Sequence, residues 1–89
     1  MNITVDISLY PLAEDYKPAI KTFIRDLRAH SGLEIVTNQM STQVRGDIDV
    51  VSSALNDSMR KAMRQEAKVV FVARYINADL DISQLPNIA

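Results

Sequence analysis

The ten residues from Asn38 to Asp47, NQMSTQVRGD, constrain the fold more than any other stretch. Read as extended chain, they put Met40, Thr42 and Val44 on one side and Ser41, Gln43 and Arg45 on the other, since strand side chains alternate between faces. Gly46 and Asp47 end the strand, and an Asp there accepts from the free N–H groups that open a helix. A turn, a strand and a helix cap thus follow one another without a linker. The strand carries a hydroxyl, an amide and a guanidinium on one face. Such a face needs water, a partner or a ligand, which points to binding rather than catalysis.

The other segments fall into place by their hydrophobic period. Residues 2–10 alternate strictly: Ile3, Val5, Ile7 and Leu9 on one face, Thr4, Asp6, Ser8 and Tyr10 on the other. This is a strand with one buried face, ended by Pro11, which cannot donate to a ladder. Asp15 is the expected cap of a first helix, with Pro18 in its first turn, where a missing N–H costs little. Ile20, Phe23, Ile24 and Leu27 recur at helical spacing, and Gly32 is placed to end that helix in a left-handed cap. Residues 33–38 read as a second strand, and Asn38-Gln39 as the turn into the third. From Asp47 the period becomes helical again, with a stripe of Ile48, Val51, Leu55, Met59, Ala62 and Met63. Residues 68–76 form a fourth strand that is apolar on both sides. Helices cover only one side, so a second subunit is expected on the other.

The order is βαββαβ, and right-handed crossovers around a central hairpin give an α+β, ferredoxin-like sandwich. Its four-stranded antiparallel sheet has the order 4-1-3-2, with both helices on one face. Residues 1–77 make this single domain and 78–89 a C-terminal tail, whose Leu80, Ile82, Leu85 and Ile88 either dock on a neighbour or stay mobile. The open face is expected to carry Thr4, Asp6, Ser8 and Tyr10 beside Ser41, Gln43 and Arg45. Asp6 has a structural role available there, an ion pair with Arg45 or with Arg74. Tyr10 and Tyr75 suit an interface or a ligand contact.

Composition closes off several function classes. The chain has no cysteine and one histidine, so thiolate metal sites, disulfides and a nucleophile–base pair find no residues, and neither a metal nor a cofactor is expected. His30, in the expected last turn of the first helix, reads as a surface residue. With only Gly32 and Gly46 there is no phosphate-cradling loop. A net charge of −1 with no clustered basic footprint argues against nucleic acid, and Arg60, Lys61, Arg64 and Lys68 read as cations at a helix end. No apolar run approaches the ~20 residues of a membrane span, and the N-terminus does not read as a signal peptide. A cytoplasmic, non-enzymatic protein is the expectation.

Two motifs, Ser8-Leu-Tyr-Pro-Leu12 and Met40-Ser-Thr-Gln-Val-Arg-Gly46, resemble the YkoF-like thiamine- and hydroxymethylpyrimidine-binding proteins. The resemblance spans about residues 3 to 76. It implies reversible binding of thiamine or its pyrimidine moiety by a homodimer or homotetramer. An aminopyrimidine wants a carboxylate or amide beside a hydroxyl donor. The ligand residues it implies are Asp6, Ser8, Tyr10, Asn38, Ser41, Thr42 and Gln43, with the pocket on the open face. The other reading is an oligomeric regulatory or scaffolding module whose open face is only a subunit interface.

Overall fold

The computed structural model describes residues 1–65 and 67–88, so Ala89, the last residue of the tail, lies outside the described residues. Six elements follow in the expected order: β1 Asn2–Pro11, α1 Lys17–Arg28, β2 Glu34–Thr37, β3 Thr42–Asp47, α2 Ile48–Met63 and β4 Val69–Ile76. The strands pair antiparallel in the order β2-β3-β1-β4, the ferredoxin-like arrangement. No helix among the described residues is long and apolar enough to cross a membrane.

The alternation in β1 sets the core. Ile3, Val5, Ile7 and Leu9 are buried with Val44 of β3, Phe23 and Leu27 of α1, and Val51, Ala54 and Leu55 of α2. Each large aliphatic chain removed from water contributes about 1.5–3 kcal/mol. Phe23 meets Phe71 of β4 edge-on, with ring centroids 5.7 Å apart, which ties α1 to the edge strand. β4 is two-faced as its sequence requires: Val69, Phe71 and Ala73 pack on the core, while Val70, Val72 and Ile76 each stay 46% exposed.

Several details differ from the sequence reading. Asp15 does not cap α1; the N-cap is Tyr16, in helical conformation and without a side-chain cap. Pro18 does sit in the first turn, so one orphan donor is simply missing. The helix stops at Arg28 with Ala29 as C-cap, and Gly32 (φ +80°) takes its left-handed turn three residues later, at the entry to β2. His30 is half-buried rather than on the surface. Its Nδ1 lies 3.0 Å from the Asp26 carbonyl and its Nε2 3.1 Å from Asp57, bridging the end of α1 to α2.

Helix α2 starts as expected, with Asp47 accepting from the Asp49 N–H at 3.0 Å. Its buried stripe is rotated from the one expected. Ile48 and Met63 are exposed, whereas Ala54 and Ser58 face the core, and the Ser58 hydroxyl has no partner among the described residues. The tail, left open by the sequence, folds back over its own sheet. Thr4 Oγ1 donates to the Ala78 carbonyl at 2.8 Å and accepts from the Leu80 N–H at 3.0 Å. That contact leaves Thr4 only 5% exposed although it lies on the open face.

Candidate ligand-binding cleft

The turn between β2 and β3 is built by Asn38. Its side-chain oxygen accepts from the N–H groups of Met40 at 2.9 Å and Ser41 at 3.0 Å, and its own N–H donates to the Ser41 carbonyl at 3.0 Å. An Asx turn of this kind needs no glycine, because the side chain stands in for a backbone acceptor. It holds the hairpin end upright beside the last residues of β1 and the start of α1.

Between those three pieces lies a cleft of about 410 Å³. Its walls are Leu9, Ile20, Phe23 and Ile24, and Tyr10 and Tyr16 lie along it. Thr37 and Thr42, paired across the hairpin, line the same space with their hydroxyls 3.0 Å apart. Among the described residues neither hydroxyl makes another side-chain hydrogen bond. Of the two protons, one lies between the oxygens. The second proton and the remaining lone pairs stay available, one donor and several acceptor positions.

Five of the seven residues singled out from the sequence border this cleft: Ser8, Tyr10, Asn38, Ser41 and Thr42. Thr42 sits on the helix side and is 5% exposed, as the alternation of β3 places it. Asp6 and Gln43 do not border the cleft. They lie opposite each other on the open face, and Gln43 Nε2 donates to Asp6 at 2.9 Å and to the Ser41 hydroxyl at 2.8 Å. This cleft lies at the end of the sandwich, whereas the sequence reading set the pocket on the open face. Residues with no signal in that reading also line it, above all Tyr16 and Thr37. Tyr75 is in neither place; it shares the face of Val5, at the far end of β4.

The open face carries a polar network beside the exposed Val70, Val72 and Ile76. Asp6 pairs with Arg74, whose Nη2 donates to Oδ2 at 2.7 Å, rather than with Arg45. Register decides this, since Asp6 stands opposite Arg74. Burial alone would push the Asp6 carboxyl up, but hydrogen bonds from Ser41, Arg74 and Gln43 outweigh it and hold its pKa below the ordinary 3.8. Arg45 instead reaches Asp79 of the tail at 2.6 Å and Glu34 at 3.3 Å. Its bond to Asp79 holds that carboxyl low. Ser41 and Asn38 belong to both regions, bordering the cleft and bonded to Gln43 of the network.

Fold and cleft together define a ferredoxin-like α+β domain with a ligand-sized, mainly apolar pocket at one end of its sheet. The chain belongs to the YKOF-related family, whose profile matches residues 2–77. No curated protein matches it. Among solved structures, one from Streptococcus pneumoniae superposes with TM-score 0.81 at 16% identity, over 96% of this chain and 93% of that one. A hypothetical protein of Methanocaldococcus jannascii gives TM-score 0.77 at 19% identity, covering 94% and 88%. A protein of Thermotoga maritima, named as a candidate thiamine biosynthesis/salvage protein, gives 0.74 at 18%, covering 97% and 90%. At these identities the likeness is one of fold.

Proposed function

We propose that the protein reversibly binds thiamine or its hydroxymethylpyrimidine moiety, without chemistry, in the cleft between the β2–β3 hairpin and α1. The family and the Thermotoga maritima neighbour's name suggest a small-molecule-binding role. The observation that carries the reading is the Thr37–Thr42 pair within a cleft of about 410 Å³, inside the range of roughly 300–1,000 Å³ typical of ligand pockets. An aminopyrimidine presents a donor amine next to a ring nitrogen that accepts. The hydroxyl pair offers the complement, while the aliphatic and aromatic walls take the ring faces.

Calorimetric titration of the purified chain with thiamine and, separately, with hydroxymethylpyrimidine tests this. Saturable binding of both is expected, and Thr42→Val should weaken it about tenfold or more, since the partner group is left unpaired. Unchanged affinity in that variant moves the site elsewhere. A second reading has its own observation. Val70, Val72 and Ile76, each 46% exposed on the open face, suit cover by a second copy in a homodimer or homotetramer. Should neither ligand give heat, an oligomeric regulatory or scaffolding module is the better account.

A further inference from the structure

We infer that the cleft sorts its ligands by charge, accepting neutral and cationic forms of the ring and rejecting phosphorylated ones; this rests on the binding reading above. None of the described residues that line it is Asp, Glu, Lys, Arg or His. A phosphate carried into this cleft would lose water and meet no cation, and burying an unpaired charge is among the costliest steps in recognition. The rim repeats the bias. Tyr10 and Tyr16 are 55% and 47% exposed, and a tyrosine face attracts a cation and repels an anion.

Charges close to the cleft do not reverse this. The nearest network is that of Asp6, one hydroxyl away through Ser41, and its guanidinium partner Arg74 is engaged by that carboxylate at 2.7 Å. The start of α1 is another place an anion could look for donors. There Pro18 has no N–H, and neither Lys17 nor Ala19 lines the cleft. A thiazolium joined to the pyrimidine can thus remain at the aromatic rim, whereas a phosphate at the same position finds no cation among the described lining residues.

The test uses the full chain and three probes: hydroxymethylpyrimidine, thiamine and thiamine diphosphate. The first two should bind within about tenfold of each other, and the diphosphate about a hundredfold more weakly than thiamine. Gln39→Arg then sets a cation on the rim, at an exposed turn position that lines the cleft. It should narrow the gap between thiamine and its diphosphate about tenfold or more, most strongly at low salt. Diphosphate binding as tight as that of thiamine overturns the inference and leaves the binding reading standing. A gap that Gln39→Arg does not narrow also overturns it, because the rejection would then be one of shape. Absence of binding by all three probes overturns both.

Discussion

The two ends of the sheet are made from the same three strands and finished in opposite ways. At the Thr4–Arg45 end, the tail is drawn in and the chain is packed tight. Thr4 is satisfied twice, Arg45 meets two carboxylates, and a Cβ placed on Gly46 would come within 2.9 Å of Leu33 and 3.1 Å of the Gly32 carbonyl. At the Tyr10–Ser41 end, side chains of similar apolar character enclose a cleft of about 410 Å³, and a pair of hydroxyls keeps bonding capacity in reserve. Filling every position favours stability; leaving space and unspent hydrogen bonds favours a ligand. The sandwich does both, separated by the length of β1.

The largest expected effect lies at the packed end. Gly46→Val should cost about 2–3 kcal/mol, because the added methyls press on Leu33 and on backbone that cannot retreat. Urea unfolding reads this as a lower midpoint with unchanged slope; a cost below about 0.5 kcal/mol would show that this end is not tightly packed. Next comes Thr4→Val, which keeps the shape but removes the one oxygen serving both Ala78 and Leu80. About 1–2 kcal/mol is expected, with faster amide exchange at Leu80. Native-like protection there would mean that the Asp79 contacts to Arg45 and Asn2 suffice to hold the tail.

The smallest effect concerns the network between the two ends. The Asp6 pKa is depressed in the fold, so its contribution is present above the unfolded value near 3.8 and is lost as pH falls through the folded value. The wild type should therefore lose stability on acidification below about pH 4, and Asp6→Asn should lose less over that window, starting from a lower value at neutral pH. Parallel pH profiles for the two proteins would remove Asp6 from the account.

The architecture was legible because it rests on period. Alternation in β1, helical stripes in α1 and α2 and the two-faced β4 lead to the observed strand order. What escaped depends on partners that a one-dimensional pattern does not reveal. The choice of Arg74 over Arg45 for Asp6 is a matter of register between strands 68 residues apart. Tyr16 and Thr37 come to the cleft because the hairpin end and the start of α1 meet in space, and neither belongs to a motif. The same holds for the tail, whose Ala78 and Leu80 backbone groups meet Thr4 and whose Asp79 carboxylate meets Arg45 and Asn2. A serine on a helix reads as polar surface, yet Ser58 faces the core with no partner for its hydroxyl among the described residues.

The double bond at Thr4 has a directional consequence. One hydroxyl carries a single proton, so that proton is committed to the Ala78 carbonyl and a lone pair to the Leu80 N–H. Donor and acceptor cannot be exchanged between those two residues without losing both bonds. The sense in which the chain passes Thr4 is therefore matched to one oxygen atom, and the Asp79 carboxylate between those two residues adds its bonds to Arg45 and Asn2.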